Sequence, residues 1–240
     1  MIRADNLSKR FGEVVAVDGV GFDAPDGRVT GLLGPNGAGK TTTLRMISTL
    51  VAPTGGTASV DGFDVGSAPL EARRRLGVLS DARGLYGRLT ARENIRYYGE
   101  LRGLAPQAID AQVGKFAQVL DLGQLLDRRT EGFSQGERMK VAIARALVHD
   151  PQNILLDEPT NGLDVMTTRA LRDLVRELRD AGKCVVFSSH VMQEVTALCD
   201  EIVIVSHGRV AARGTPEAIR EAGGKATLED AFVALTGGGP

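Results

Sequence analysis

The sequence predicts an α/β fold in which a mostly parallel β-sheet is covered by helices, preceded by an antiparallel β lead-in and interrupted by an inserted α-helical subdomain. Three observations predict it. Short apolar runs alternate with amphipathic helical patterns between Asn153 and Val205, the pattern of a parallel sheet buried on both faces. A glycine-rich loop beginning at Gly34 separates the apolar run Val29 to Leu33 from a helical pattern between Thr41 and Leu50. From about residue 82 to 150 the chain changes character and reads as successive amphipathic helices.

Each element follows in order. The β-rich runs Val14–Val17, Gly19–Phe22 and Arg28–Leu33, divided by the turns Phe11-Gly12 and Pro25-Asp26-Gly27, predict the antiparallel lead-in. Gly55-Gly56 and Asp61-Gly62 bracket another short strand, and Leu76–Leu79 reads as a buried strand leading to an exposed Ser80-Asp81. Thr90-Ala91-Arg92-Glu93 is a capping box opening a helix with Ile95, Tyr98 and Leu101 on one face. Pro106 starts a second helix through Leu120, with Ile109, Val113, Phe116 and Leu120 at helical spacing. A third begins at Ser134-Gln135-Gly136-Glu137 and is stopped by Asp150-Pro151. The sheet pattern then resumes: strand Asn153–Asp157, helix Met166–Ala181, strand Lys183–Phe187, helix Val191–Leu198, strand Glu201–Val205, a hairpin at Gly208 and a helix capped by Thr215. The spacing therefore predicts one domain, with a core of residues 1–81 and 151–225, a helical subdomain 82–150 and a C-terminal tail 226–240 that frays at Gly237–Pro240.

Composition narrows the function classes. With 240 residues and 42% hydrophobic content, the chain can bury a large core. Its 29 basic and 30 acidic residues leave a net charge of −1, so no global basic field points to nucleic acid. Cys184 and Cys199 lie in apolar runs without Cys-x-x-Cys spacing and read as small core residues in a reducing cytoplasm. No apolar stretch reaches the roughly 18 to 20 residues that cross a bilayer, and the N-terminus lacks a secretory pattern, so any membrane role is expected to run through a partner.

Two stretches carry chemistry. Gly34-Pro35-Asn36-Gly37-Ala38-Gly39-Lys40-Thr41, followed by Thr42, matches G-x-x-x-x-G-K-[ST] in the strand–loop–helix context that the pattern requires. Its glycines leave backbone N–H groups free to converge on phosphate oxygens, and the following helix points its positive end at the same anion. Lys40 is placed to neutralise the β/γ-phosphates and Thr41 to ligate Mg2+. The second stretch, Ile154-Leu155-Leu156-Asp157-Glu158, is an apolar strand ending in two carboxylates at the sheet edge where ligands sit. Asp157 is the candidate Mg2+ ligand and Glu158 the candidate general base that polarises the attacking water. Phe11 is open to two readings, stacking on an adenine ring or packing under the sheet.

The motifs taken in order resemble those of the ATP-binding subunits of ABC transporters, and the likeness covers nearly the whole chain. Phe133-Ser134-Gln135-Gly136-Glu137 matches the family's signature loop in its serine and second glycine, Asn161-Gly162-Leu163-Asp164 resembles its D-loop, and His190 in Ser188-Ser189-His190 stands at its switch position. The resemblance implies a phosphate-loop ATPase core of the RecA-like kind, ATP and Mg2+ as ligands, and a homodimer around two ATP. It also implies a separate integral membrane permease, and residence at the cytoplasmic face of the membrane. On its terms Phe11 stacks on adenine, Ser134 and Gly136 contact the γ-phosphate held by the other subunit, and His190 contacts the γ-phosphate. The segments Ser80–Tyr86, Leu89–Ile95 and Tyr97–Leu104 are similar to those of NatA-type subunits of sodium-export systems, while subunits that export drugs or other lipophilic compounds are also alike. A soluble ABC ATPase acting on ribosomes or DNA is the remaining alternative; such proteins carry two units or a long coiled coil, whereas this chain has one unit and no heptad run. A generic phosphate-loop kinase or GTPase is disfavoured by the signature helix and the absence of an Asn-Lys-x-Asp element.

The chain departs from the family pattern in two places. Asp81 stands where the family has a glutamine that senses Mg2+; it offers an oxygen to the metal but adds a charge. In the signature loop Gln135 and Glu137 replace the usual glycine and glutamine, and the capping box predicts that Glu137 folds back onto its own helix N-terminus.

Overall fold

The structure, a computed structural model, describes residues 1–80 and 84–237. Asp81 and the last part of the expected frayed end lie outside the described residues. Two sheets are built from β1 (Ile2–Phe11), β2 (Val14–Ala24), β3 (Arg28–Leu33), β4 (Gly55–Val60), β5 (Phe63–Asp64), β6 (Leu76–Leu79), β7 (Asn153–Asp157), β8 (Cys184–Ser189), β9 (Glu201–Ser206) and β10 (Arg209–Gly214). The helices are α1 (Lys40–Ile47), α2 (Pro69–Arg74), α3 (Ala91–Leu101), α4 (Pro106–Val119), α5 (Gln135–Leu147), α6 (Val165–Asp180), α7 (Met192–Leu198), α8 (Pro216–Gly223) and α9 (Leu228–Thr236).

The larger sheet has the order β10-β9-β3-β8-β7-β6 and is parallel throughout except for β10, which closes a hairpin on β9. The smaller sheet, β2-β1-β4-β5, is antiparallel and holds the first two runs of the expected lead-in, but the third, Arg28–Leu33, does not belong to it: β3 pairs parallel with β8 and β9 inside the larger sheet, where its apolar residues are buried on both faces. Strand alternation decides what each face of the large sheet buries. Val29 and Leu33 of β3, Ile154 and Leu156 of β7, Val185 and Phe187 of β8, and Ile202 and Ile204 of β9 pack against the helical lobe and α6 and α7. Their neighbours Leu32, Leu155, Val186 and Val203 face the other way, into a core shared with α1 and the antiparallel sheet. A strand buried on both faces is apolar at most positions, with Thr30, Asn153, Ser188 and Ser189 as buried polar exceptions, which is why these runs read as near-continuous rather than alternating.

The helical subdomain forms as its caps dictate. Thr90 and Ser134 each accept from the backbone N–H three residues on, and Glu93 and Glu137 each accept from the cap residue's own N–H, so both capping boxes are complete. Ile95 is buried as expected, but Leu101 is 64% exposed because it lies in the last turn of α3, past the contact with α5.

Three differences from the sequence reading have physical reasons. Val14–Val17 and Gly19–Phe22 are one strand: Gly19, at φ 72°, bends it without breaking it, in the stretch where the β1–β2 register shifts. The strand β1 lies inside the small sheet although most of its residues are polar, because it pairs with β2 and β4 on its two edges. Much of the expected tail is helix α9, capped by Thr227 and docked on α8 through buried Leu228 and Ala231. Both cysteines are buried free thiols, and burial pushes the Cys184 thiol up to about 12 and raises that of Cys199 further, which keeps them protonated and inert.

Candidate active site

The parallel register brings the carboxyl ends of β3, β7 and β8 level with one another, since Leu33 pairs with Ser189 and Asp157 with Ser188. The glycine-rich loop leaves β3 at this edge and returns into α1 at Lys40. Gly39 is the N-cap of α1 at φ 104°, and a Cβ there would lie 2.6 Å from the Ala16 carbonyl oxygen, so only glycine fits. With no side chain capping the helix, the amides of its first turn remain directed at the loop. Loop and helix line a cavity of about 180 Å3 together with Ala16 and Glu158, and its wall runs without interruption from Asn36 through Gly37, Ala38, Gly39, Lys40 and Thr41 to Thr42.

Lys40 is almost wholly buried at the floor. Its ammonium donates to the carbonyls of Gly34 (2.7 Å) and Pro35 (3.2 Å) and lies 3.1 Å from Glu158 Oε1. The other oxygen of Glu158 is 2.8 Å from His190 Nδ1. Next to this row stands a second one: Thr41 Oγ1 donates to Asp157 Oδ1 (3.1 Å), and Ser188 Oγ donates to the same oxygen (2.7 Å) while accepting from the Glu158 N–H (3.0 Å). Lys40, Thr41, Asp157, Glu158 and His190, up to 150 residues apart in sequence, thus meet in one place.

The remaining sequence candidates lie elsewhere on the monomer. Phe11 ends β1 opposite Val14, and its ring is 51% exposed beside the Lys9 ammonium; it does not pack under the sheet. Ser134 caps α5 at an exposed position, and its N–H donates to Glu137 Oε2 at 2.7 Å. That hydrogen bond holds the Glu137 carboxyl below the usual carboxylate range, as the folded-back capping box requires. Gly136 packs beside the start of α6, where a Cβ would lie 3.5 Å from Asp164 Oδ2.

Sequence reasoning overlooked three contributors. Ser188 was visible only as a neighbour of His190, yet its hydroxyl donates to the Asp157 carboxylate and accepts from the Glu158 backbone N–H. Glu194 accepts from the hydroxyls of Thr160 and Ser189. Gln135 donates to the Asn161 carbonyl at 2.9 Å, tying the start of α5 to the turn after Glu158. Period-2 alternation could have placed Ser188 on the same sheet face as Val186, but not beside Asp157, which takes the pairing of β7 with β8.

The donor set suits a magnesium nucleotide. Thr41 and Asp157 offer a hydroxyl and a carboxylate oxygen to one point, the hard donors that Mg2+ takes when phosphate and water supply the rest of its shell. Among the described residues no group of three or more His, Cys, Asp or Glu converges on one point, as a metal caged wholly by such side chains would require.

Comparison with known proteins identifies the family. The family model described as "ABC transporter" matches residues 17–161. The ABC transporter ATP-binding protein NatA of Bacillus subtilis (strain 168) is 45% identical over 226 residues, 92% of each chain. The daunorubicin/doxorubicin resistance ATP-binding protein DrrA of Streptomyces peucetius is 38% identical over 95% of this chain and 69% of its own length. Among solved structures, an ATP-binding subunit of an ABC transporter superposes with a TM-score of 0.91 at 30% identity, covering 98% of this chain and 99% of the other. A dimeric ATP-binding cassette in a post-hydrolysis state, bound to ADP and Pi, gives 0.82 at 26% identity over 90% of this chain and 98% of its own.

Proposed function

Because the chain belongs to the ABC transporter family, as one of its ATP-binding and ATP-hydrolysing subunits, we propose that it powers export of sodium ions through a separate membrane permease. The observation that carries the catalytic part is the convergence of Lys40, Glu158 and His190 beside Thr41, Asp157 and Ser188, with Lys40, Thr41 and Glu158 lining the cavity of the glycine-rich loop.

In this reading the loop Gly34–Thr42 wraps the triphosphate, Lys40 turns its ammonium from the Gly34 and Pro35 carbonyls to the β/γ-phosphates, and Phe11 stacks on adenine. Thr41 and Asp157 hold Mg2+, which neutralises developing phosphate charge when bound. Glu158, released from Lys40, takes the proton of a water that attacks the γ-phosphorus; the bond to the β,γ-bridging oxygen breaks, giving ADP and phosphate. His190 fixes the orientation of Glu158 and contacts the γ-phosphate. Two copies close head to tail, each offering Ser134 and Gly136 at the start of α5 to the γ-phosphate on the other, so that ATP bridges them and hydrolysis lets them part. The dimeric post-hydrolysis relative supports the pairing of two copies.

Among the described residues no helix is long and apolar enough to cross a membrane. In this reading the permease provides the path, and this chain sits at its cytoplasmic face. The sodium reading rests on the 45% identity to NatA and the likeness of residues 80–104 to NatA-type subunits. The 38% identity to DrrA favours a second reading, export of a lipophilic drug. The test is ATP-dependent uptake of labelled sodium into inverted vesicles that carry the chain with its permease, comparing wild type with Glu158→Gln. Uptake by wild type alone supports sodium export, with turnover in the variant down by about 10²–10⁴-fold, the worth of a general base. Hydrolysis without sodium movement overturns it in favour of the drug reading.

A further inference from the structure

We infer that Glu194 is a positioning residue for hydrolysis, holding the turn that follows Glu158 and the turn that carries His190 in fixed relation through a single carboxylate oxygen. The inference rests on the reading of Glu158 as base and His190 as its partner. Glu194 lies in the first turn of α7, only 7% exposed. Its Oε2 accepts from Ser189 Oγ at 3.1 Å and from Thr160 Oγ1, and both hydroxyl residues are themselves buried. Thr160 is two residues past Glu158, and Ser189 immediately precedes His190. Ser189 Oγ also accepts from the Val191 N–H at 2.9 Å, so the backbone on both sides of His190 is tied to the same point. Thr160 in turn anchors its own turn, where the Asn161 N–H donates to the Glu158 carbonyl and the Leu163 N–H to the Thr160 carbonyl.

A purely structural role is a poor account of this residue. The inward positions beside it on α7, Val195 and Leu198, are apolar, and an apolar residue at 194 would pack without the cost of burying a carboxylate. Among the described residues no lysine or arginine pairs with Glu194. Its partners are two hydroxyls, one on each loop that leads to the 2.8 Å contact between Glu158 and His190. The contact that orients the base is therefore set from behind by Glu194. Displacement of a catalytic group by about 1 Å costs about 10²-fold in rate.

The experiment is steady-state ATP hydrolysis by the full chain, with Glu194→Ala, Glu194→Gln and Ser189→Ala measured beside wild type and Glu158→Gln. Because one oxygen accepts both bonds, the carbonyl oxygen of glutamine can take its place. Glu194→Ala is expected to lower kcat about 10–100-fold with the KM for ATP within about threefold, and Glu194→Gln to bring kcat back to within about threefold of wild type. A kcat for folded Glu194→Ala within about twofold of wild type overturns the inference, as does a loss that Glu194→Gln fails to rescue. Should Glu194→Ala not fold, Ser189→Ala decides: a reduced kcat at constant KM supports the inference, and wild-type turnover overturns it. Turnover retained by Glu158→Gln overturns instead the reading of Glu158 as base, whereas activity in Glu194→Ala beside an inactive Glu158→Gln overturns the inference about Glu194 alone.

Discussion

Acid should weaken this fold through one histidine before it weakens it through carboxylates. His149 sits just after α5, mostly buried, with Nε2 3.0 Å from the Leu76 carbonyl and Nδ1 without a hydrogen-bond partner among the described residues. Burial and, secondarily, the Arg102 guanidinium push its value from 6.5 down to about 4; Lys183 adds to the lowering, while the Leu76 carbonyl and Asp150 oppose it. The folded state therefore binds fewer protons than the unfolded chain below pH 6.5. Stability is complete above 6.5, falls as pH descends towards about 4, and levels off below that. At about 1.36 kcal/mol per pKa unit the ceiling is about 3 kcal/mol, and the part lost by pH 5 is at most about 2 kcal/mol. For a chain of this size, that moves Tm by about 4–8 °C. His149→Gln keeps an N–H for the Leu76 carbonyl but cannot titrate. Thermal unfolding of both proteins at pH 7.5 and 5 should show the gap between their Tm values shift in favour of the variant by that amount at the lower pH. The carboxylates held low, Glu93 and Glu137 among them, lose their contributions only below their unfolded value of 4.5 and leave this window clear. A gap that does not change between the two pH values would refute the reasoning.

Two further perturbations probe the site. Gly39→Ala places a methyl 2.6 Å from the Ala16 carbonyl at a φ of 104°, whereas Gly37→Ala, at φ 81°, meets nothing within 4 Å. Calorimetry should show Gly39→Ala losing about 2–3 kcal/mol, some 4–12 °C in Tm, and Gly37→Ala about 1 kcal/mol, with the larger loss of ATP affinity in an equilibrium titration following the first. Gly162→Ala drives a methyl into the Gln135 amide and breaks its bond to Asn161. In a double-mutant cycle with Gln135→Gly, which removes that amide, the penalty of Gly162→Ala on stability should shrink by about 0.5 kcal/mol, since the exposed amide can also swing aside, and the strain of φ 73° remains; strict additivity of the two changes would show that they do not meet.

The fold was legible wherever the signal is local. A strand buried on both faces is largely apolar, so the bounds of β3, β6 and β7 could be placed from sequence to the residue, though not the sheet to which β3 belongs, and capping boxes fix where α3 and α5 begin. The strand β1 was not legible, because Arg3, Asp5, Asn6, Ser8, Lys9 and Arg10 hide a strand that only its partners β2 and β4 stabilise. The helix α9 is short, and the docking of Leu228 and Ala231 on α8 that holds it in place is a tertiary contact. In the site, Lys40, Thr41, Asp157 and Glu158 announced themselves through motif and context. Ser188, Glu194 and Gln135 did not, because each acts on a partner from another segment of the chain, and a hydroxyl, carboxylate or amide on a helix or strand looks the same whether it faces solvent or a loop.

The adjacent carboxylates show where sequence reasoning stops and backbone geometry takes over. In an extended strand Asp157 and Glu158 would point to opposite faces, and only one of them could serve the cavity. Glu158 instead adopts φ 47°, in the left-handed region that a residue with a side chain enters at a cost of about 1–3 kcal/mol. That turn ends the strand and brings the second carboxylate round to Lys40 and His190 while Asp157 stays with Thr41 and Ser188. Three contacts offset the strain: the Glu158 N–H on Ser188 Oγ, the ion pair with the buried Lys40 and the hydrogen bond with His190. Two of the three groups involved, Lys40 and His190, are the ones assigned to the γ-phosphate. With the roles proposed for Lys40 and Glu158, nucleotide binding and the conformation of the base are coupled: whatever draws Lys40 to a phosphate also loosens the ion pair that holds Glu158 in its strained turn, leaving Ser188 and the loops tied by Glu194 to keep the carboxylate aimed.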